Sequence, residues 1–237
     1  MDITIIAKGS TPWQRFRKNW GLAFLIGENI LFDTFSKAEI LFSNMRKMDI
    51  DIKNIKHIVI SHDHWDHTGG LWEILAQETG INVYSCPGFS NQFKTNVNAR
   101  RGNLIESYDF KKISENIYVT GEIKSYYKDK EIYEQALMVD TNKGLSIITG
   151  CAHPGIMKIV EYAKEKFPNK QIYAVLGGFH LMHSSLNEIK TVADKFKELG
   201  VQKVGPTHCS GRHAEKIFRK IYKDKFINIK VRDLITL

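Results

Sequence analysis

The stretch Ile60–Leu71, ISHDHWDHTGGL, begins at the end of the apolar run HIVI and places four potential metal ligands within six residues. Imidazole and carboxylate groups are ligands that zinc, iron and manganese accept. Because side chains two residues apart on an extended segment face the same side, His62 and His64 can point at one ion. Asp66 and His67 follow where the chain turns, which predicts that they serve a second ion nearby.

A polar loop with solvated or hydrogen-bonded histidines is the alternative interpretation, and it suits any one of these histidines taken alone. Four candidate ligands at this spacing, directly after an apolar run, favour a metal site instead. The sequence therefore predicts one or two divalent metal ions, with zinc expected ahead of iron or manganese.

Length and composition indicate a globular chain with a large core. No Pro-rich or Gly-rich linker divides it, so residues 1–237 are expected to form one domain. No apolar run has the length of a membrane span and MDITIIAKGS lacks the pattern of a secretory signal, so we expect a cytoplasmic protein with no membrane contact. The odd number of cysteines, three, argues against a disulfide framework.

The formal net charge of +8 raises the question of nucleic-acid binding. The lysines are spread along the chain rather than clustered, so a nucleic-acid partner is not expected. Excess positive potential would instead favour a small anionic substrate. These patterns indicate no oligomeric state.

Apolar periodicity predicts strands in DITIIA, GLAFLI and NILFD, then a helix capped by Ser36 and Glu39. Next come a strand, a helix and a strand, in HIVIS, LWEILAQE and INVYS. Residues 86–115 show no apolar periodicity, so we expect a long irregular loop there. Strands in NIYVTGEI, QALMVD and LSIITG precede alternating helices and strands, one helix being capped by Ser185 and Glu188. Two mixed sheets with helices on their outer faces accommodate this order.

Three further histidines follow strand-like runs, in ITGCAHPGI, VLGGFHLMH and VGPTHCSGRH. We single out His153, His180 and His208, because a scaffold offers side chains to a cleft at the ends of strands. Each could instead bond a backbone carbonyl at a strand terminus, but the repeated arrangement favours a shared site. The histidines without this context are expected to be structural or surface residues: His57, His183 and His213.

The H-x-H-x-D-H loop after a strand resembles the signature of the metallo-β-lactamase-fold superfamily. Four further segments resemble, in the same order, those of one branch of this superfamily, the dihydropterin–ribofuranosylaminobenzene phosphate synthase-like metallohydrolases. The segments are ILFDT, GCAHPGI, GGFHL and THCSG. The resemblance implies an α/β fold, a four-layer αββα sandwich of two mixed sheets, with one or two ions at one edge. It also implies two ligand groups: His62 and His64 with a third histidine, and Asp66 and His67 with His208.

The chain departs from the superfamily pattern at two places. Many members have a G-H-T-P-G histidine loop and later a bridging aspartate in a G-D motif, and this chain has neither. ITGCAH lies about where the G-D strand end is expected, so Cys151 or His153 could fill that position. We choose His153 as the missing histidine ligand and leave Cys151 open. His180 could be a ligand or a substrate contact, and Cys209 is expected to be a small buried residue.

This set of groups predicts hydrolysis, because a bound divalent ion lowers the pKa of its water toward neutrality. Asp66 could orient the water and His180 could stabilise the leaving oxygen, so both are candidate catalytic residues. A phosphoester or phosphodiester is the expected substrate class, since positive charge and metal both suit phosphate. Arg100 and Arg101, within residues 86–115, are candidate substrate contacts.

Two other functions stay open. One is the transferase reaction of the branch named above, which joins a pterin methyl group to an arylamine ribosyl phosphate. The other is a non-catalytic metal-binding or ligand-binding module. Asp66 argues against the module, because a structural ion needs a closed ligand set and no spare carboxylate. The resemblance supports the scaffold better than any one substrate, since one fold hosts many functions.

Overall fold

The computed structural model describes residues 1–237 and contains fifteen strands and eight α-helices. In chain order they are β1 (Asp2–Gly9), α1 (Pro12–Phe16), β2 (Gly21–Ile26), β3 (Ile30–Phe32), α2 (Ala38–Arg46), β4 (His57–Val59), α3 (Trp65–Thr68), α4 (Leu71–Gln77), β5 (Asn82–Ser85), α5 (Asn91–Ala99), β6 (Asn103–Glu106), β7 (Lys111–Ser114), β8 (Ile117–Val119), β9 (Ile123–Tyr127), β10 (Lys130–Glu134), β11 (Leu137–Thr141), β12 (Gly144–Thr149), α6 (Ile156–Lys166), β13 (Ile172–Gly178), α7 (Leu186–Glu198), β14 (Lys203–Thr207), α8 (Gly211–Tyr222) and β15 (Leu234–Thr236).

Two mixed sheets form the inner layers of the molecule. The seven-stranded sheet has the order β15-β1-β2-β3-β4-β5-β6, and the six-stranded sheet has the order β14-β13-β12-β11-β8-β7. Strands β9 and β10 pair only with each other, as a separate antiparallel hairpin. No helix combines the length and the apolar composition that crossing a lipid bilayer requires.

Three apolar clusters separate the layers. Strand β2 shows how alternation builds them: Leu22 and Phe24 point into the cluster between the two sheets, while Ala23 and Leu25 point into the cluster under α2, α4 and α5. The third cluster lies between the six-stranded sheet and helices α6, α7 and α8. The arrangement is a four-layer αββα sandwich, and the predicted fold class is confirmed.

The predicted helix caps have different outcomes. Helix α7 begins with the predicted capping box, in which Ser185 Oγ accepts from Glu188 N and the Glu188 carboxylate accepts from Ser185 N. The predicted box of Ser36 and Glu39 is wrong. Helix α2 begins after Lys37 without a side-chain cap, because Ser36 Oγ instead donates to Lys18 O and accepts from Trp20 N.

The prediction of an irregular loop over residues 86–115 is wrong. This segment contains α5, β6 and β7, and β6 extends the seven-stranded sheet beside β5. Ser90 Oγ accepts from Phe93 N and so caps α5, whose buried face consists of Phe93 and Val97, four residues apart. Apart from Ala99, the remaining positions of α5 are polar, so the apolar periodicity was too weak to reveal this short amphipathic helix.

The hairpin of β9 and β10 was not predicted, and the single predicted strand NIYVTGEI is divided. Strand β8 ends at Val119, Gly121 has a φ of 74°, and β9 begins at Ile123. The two-residue turn Lys128-Asp129 has φ values of 51° and 60°, as a type I′ hairpin requires. Neither residue is the glycine or asparagine that is typical of such a turn, so the sequence did not indicate it.

Strands β12, β13 and β14 are parallel neighbours, so their carboxyl ends lie at one edge of the six-stranded sheet. Each of these ends leads directly into a segment that carries a predicted site histidine. Strand β4, in the other sheet, ends just before His62. The fold therefore gathers the candidate ligands from both sheets at one edge of the sandwich.

Candidate metal centre

The H-x-H-x-D-H loop is folded inward. His62 and His67 are fully buried and Asp66 is nearly so. His64 occupies the N-cap position of the single-turn helix α3, which aims the Asp66 and His67 side chains back at the sheet edge. A solvated polar loop, the alternative interpretation of this stretch, does not describe these side chains.

The potential ligand atoms form two histidine-containing triads. In each triad every pair of ligand atoms lies within 4.8 Å. One triad is His62, His64 and His153, and the other is Asp66, His67 and His208. These are the two ligand groups implied by the sequence, with His153 as the third histidine of the first group.

Cys151 lies between the two triads. Its Sγ is 3.5 Å from His67 Nε2. It also forms compact potential sets with His62 and His67, with His153 and His180, and with His208 and Cys209. A thiolate here could serve either ion or both, and it stands at the strand end where a bridging aspartate was expected.

The buried Asp33 carboxylate orients two ligand histidines. His67 Nδ1 donates to Asp33 at 2.6 Å, and Ser61 Oγ donates to it at 2.8 Å while accepting from His62 Nδ1 at 2.9 Å. Burial alone would lower the pKa of His67, but the neighbouring carboxylates, Asp33 foremost, raise it well above its usual value. Gly150 makes room for this network, because a Cβ there would lie 2.0 Å from Ser61 Oγ.

Glu134, fully buried at the end of β10, holds the loop that follows β12. It accepts from the backbone N–H groups of Cys151, Ala152 and His153 at 2.7–2.9 Å, and from His153 Nδ1 at 2.8 Å. Burial alone would raise the pKa of Glu134, but the bonds to His153 and the backbone lower it to about 2. The carboxylate is therefore ionised at neutral pH and fixes the His153 ring.

Four of the candidate ligand histidines, His62, His67, His153 and His208, are hydrogen-bonded through Nδ1, which leaves Nε2 for an ion. His208 Nδ1 donates to Gly9 O at 2.9 Å, so its Nε2 carries the free lone pair. The Nε2 atoms of His62 and His208 are buried and have no hydrogen-bond partner. Unpartnered buried nitrogens are costly, and an ion at these positions would satisfy them. The donor set thus fits a divalent metal, with each bond at Nδ1 fixing a tautomer as in known metal sites.

The protonation states of His62, His64 and Asp66 favour cation binding, whereas His67, whose pKa is raised, must release a proton when it ligates an ion. Burial lowers the pKa of His64 to about 4 and the pKa of His62 well below its usual value. Burial alone would raise the pKa of Asp66, but contact with His67 holds it below the usual range of a carboxyl group. At neutral pH His62 and His64 are neutral and Asp66 is ionised, which are the forms that ligate metals.

Four residues around the cluster have left-handed backbone conformations although none is glycine. Their φ values are 56° at Asp33, 63° at Ala152, 53° at His180 and 53° at His208. Such conformations cost roughly 1–3 kcal/mol each and persist only where the surroundings impose them. Their concentration at one sheet edge is typical of a functional site.

A cavity of about 230 Å³ opens onto the cluster. Its twelve lining residues combine ligand candidates with aromatic and cationic groups: Arg15, Trp20, His64, Trp65, Asp66, Tyr127, Lys128, Cys151, His180, Met182, His183 and Cys209. The ring of Tyr127, next to the hairpin turn, lies 5.0 Å from that of His153 and 5.5 Å from those of His64 and His180. His183, predicted to be structural or on the surface, lines this cavity.

Arg100 and Arg101 do not line this cavity. They follow α5, where Arg100 Nη1 donates to Asn96 O at 3.2 Å and its guanidinium lies 5.5 Å from the Trp72 ring centre. Both arginines border a different surface depression. The structure thus brings together every predicted metal ligand and His180, but not the two predicted substrate contacts.

Residues 19–208 match the family model of the metallo-beta-lactamase superfamily. The chain belongs to this superfamily. It is 29% identical to the 7,8-dihydropterin-6-methyl-4-(beta-D-ribofuranosyl)-aminobenzene-5'-phosphate synthase of Methanocaldococcus jannaschii, over 93% of this chain and 90% of that protein.

Solved structures of other proteins share the fold. One is the crystal structure of Tm1679, described as a metal-dependent hydrolase of the beta-lactamase superfamily. It is 27% identical in sequence to this chain, and the two structures superpose with a TM-score of 0.80 over 100% of this chain and 99% of Tm1679. The short form of human tRNase Z has a TM-score of 0.65 at 16% identity, covering 100% and 99% of the two chains, and shows the fold alone.

Several residues that shape the site were missed by sequence reasoning. Asp33 stood within the recognised segment ILFDT, so its position after a strand was an available signal. Glu134 and Ser61 had no local signal, because their partners come together only in the folded chain. Arg15 and Lys128 looked like ordinary surface cations.

Proposed function

We propose that the protein is a metal-dependent hydrolase of a small anionic phosphoester or phosphodiester. The observation that carries the proposal is that each ligand triad contributes one residue, His64 or Asp66, to the wall of one cavity, which His180 also lines. A purely structural ion would need only one closed ligand set, without such a cavity.

Within this proposal, His62, His64 and His153 hold one ion, and Asp66, His67 and His208 hold the other, with Cys151 between them. Bound ions would supply a lowered pKa of water and compensation of negative charge. Asp66 accepts a hydrogen bond from the attacking water and orients it. His180 faces the same cavity and donates to the leaving oxygen. Zinc suits this mixture of nitrogen, oxygen and sulfur donors, which iron also accepts.

The cavity rim supports an anionic substrate. Arg15 on α1 and Lys128 at the hairpin turn are its cationic lining residues, and Trp20, Trp65 and Tyr127 provide flat apolar surfaces. Charge-assisted hydrogen bonds to phosphate oxygens are the interactions these cations offer. In this proposal they replace Arg100 and Arg101 as the substrate contacts.

The activity is tested with bis(p-nitrophenyl) phosphate after the protein is stripped of metal and reloaded separately with Zn²⁺, Fe²⁺ or Mn²⁺. We expect turnover that depends on the added ion and disappears on chelation. Absence of turnover with every ion on phosphodiesters and phosphomonoesters would reject the proposed hydrolase.

The His64→Ala variant is expected to lose the ion of its triad, so that metal content falls from two ions per chain to about one. A residue that merely orients a ligand contributes about 10–100-fold in affinity, so removal of a ligand should cost at least about 100-fold. The melting temperature should fall as well, because ion binding stabilises the folded state. Elemental analysis and thermal melts measure both effects.

The control for that variant is His213→Ala, which makes the same substitution at an exposed position of α8. It should keep the parental metal content. Equal metal content in His64→Ala and the parent would remove His64 from the ligand set.

The double variant Arg15→Ala/Lys128→Ala is expected to raise the Michaelis constant for a phosphorylated substrate by roughly 3–10-fold, because both cations are exposed and partly screened. The turnover number should stay near the parental value if the contacts are equally strong in ground and transition states. The increase should shrink at high salt.

The matched control is Arg100→Ala/Arg101→Ala, which removes the same amount of charge outside the cavity. Its Michaelis constant should equal that of the parent. If instead this control pair raises the constant and the Arg15/Lys128 pair does not, the original assignment of Arg100 and Arg101 is restored.

A transferase is the second candidate, favoured by the similarity to the Methanocaldococcus jannaschii synthase along 93% of the chain. The same cavity could hold a phosphorylated arylamine beside a pterin. Incubation with those two substrates, followed by chromatographic detection of the joined product, tests this candidate. Product formation without hydrolysis of test esters would favour the transferase over the hydrolase.

A further inference from the structure

Two sulfur atoms, rather than one, face the candidate metal centre. Cys151 is the second residue after β12 and Cys209 lies in the turn after β14, and both line the cavity. Cys209 Sγ donates to Cys151 O at 3.4 Å. The ligand atoms of Cys151, Cys209 and His208 all lie within 4.8 Å of one another.

The position of the Cys209 thiol differs from that of an ordinary buried cysteine. Cys86 packs in the apolar cluster beneath α4 and α5, whereas Cys151 and Cys209 belong to none of the three apolar clusters. A glycine leaves space for the thiol, because a Cβ on Gly178 would lie 2.6 Å from Cys209 Sγ and 3.1 Å from Cys151 Cα. The sequence-based expectation that Cys209 only fills space does not account for this placement.

A second observation, independent of the thiols, also points to a cation at this corner of the site. His208 is fully buried and its Nδ1 is bonded to Gly9 O; its Nε2 lies 3.4 Å from Asp66 Oδ2 and has no hydrogen-bond partner. His208 belongs to the compact set with the two thiols. A cation there would satisfy the nitrogen and both sulfurs together.

We propose that Cys209 is a second thiolate ligand, which binds the same ion as His208 and Cys151. The inference rests on the proposed metal site and deepens it. Each thiol loses its proton to solvent as its sulfur–metal bond forms, because the thiolate is the ligating form. Thiolate donors prefer soft or borderline ions, so this position selects Zn²⁺ or Co²⁺ over Mn²⁺ or Mg²⁺.

The test uses Co²⁺, whose bonds to thiolate produce charge-transfer absorption in the near ultraviolet. The full chain is stripped with a chelator, kept reduced with a phosphine, and loaded with Co²⁺, and bound cobalt is measured by elemental analysis. We expect Cys209→Ser and Cys151→Ser each to lose about half of the absorption per bound ion, and the double variant to lose nearly all of it. Cys86→Ser should match the parent.

A second measurement needs no variant. Bound Zn²⁺ should protect Cys209 and Cys151 from alkylation by iodoacetamide, as mapped by mass spectrometry of the parent protein. The inference is overturned if Cys209→Ser keeps the full absorption, or if Cys209 is alkylated equally fast with and without Zn²⁺. Failure of the parent to bind Co²⁺ at all would instead reject the proposed metal site, so the two failures are distinguishable.

Discussion

The Asp66→Asn variant is expected to keep the parental fold and much of its metal while its turnover number falls about 10²–10⁴-fold, the range for loss of a positioned acid or base. Asparagine retains the shape of the side chain and a carbonyl oxygen. It lacks the negative charge that lies 3.3 Å from His67 Nε2 and 3.4 Å from His208 Nε2. Steady-state kinetics on bis(p-nitrophenyl) phosphate, with metal analysis of the same sample, measure the effect.

Asp63→Asn is the matched control for this variant. Asp63 lies in the same loop, but its carboxylate accepts from Ser90 N at 2.8 Å and belongs to neither triad. Its turnover should remain parental. Parental turnover in Asp66→Asn would remove Asp66 from the chemical step, and a loss proportional to lost metal would assign it to ligation alone.

The Glu134→Gln variant is expected to lose about 3–5 kcal/mol of unfolding free energy, as measured by denaturant titration. Each carboxylate oxygen of Glu134 accepts two hydrogen bonds. The glutamine amide replaces one of these oxygens by an NH₂ group, which cannot accept the two hydrogen bonds from the loop. Removing one charged partner from a buried hydrogen-bonded network typically costs about 3–5 kcal/mol of unfolding free energy. Metal affinity should fall about 10–100-fold as well, because the His153 ring loses its orienting partner.

Glu131→Gln, on the same strand β10, controls for the substitution itself. Glu131 is exposed and pairs with Lys124 at the surface. Surface changes of this kind usually stay within about 0.5 kcal/mol. If the two variants were equally stable, Glu134 would not be the support of the His153 loop that its hydrogen bonds indicate.

The cluster of candidate metal ligands could be predicted because its signals in the sequence are local. His62 and His64 are related by strand periodicity, and the later histidines share a position at strand ends, which parallel pairing brings together. The αββα architecture followed from apolar periodicities and from the resemblance to a known superfamily. None of these signals requires knowledge of distant contacts.

The features that escaped prediction depend on distant partners or on too few apolar residues. Glu134 bonds groups 17–19 residues away, and in the sequence it looks like a solvated charge on an edge strand. The Ser36 cap failed because a distant backbone donor, Trp20 N, competes for the hydroxyl. Helix α5 buries only Phe93 and Val97, too short a repeat for periodicity to detect.

The two ends of the hairpin of β9 and β10 contact different parts of the candidate site. Its foot carries Glu134, which anchors the His153 loop, while its tip places Tyr127 and Lys128 in the wall of the cavity. Because the strands pair only with each other, residues at the tip can be exchanged without disturbing either large sheet. Substitutions of Tyr127 or Lys128 can therefore reshape the cavity wall while Glu134, at the other end of the hairpin, keeps the His153 loop in place.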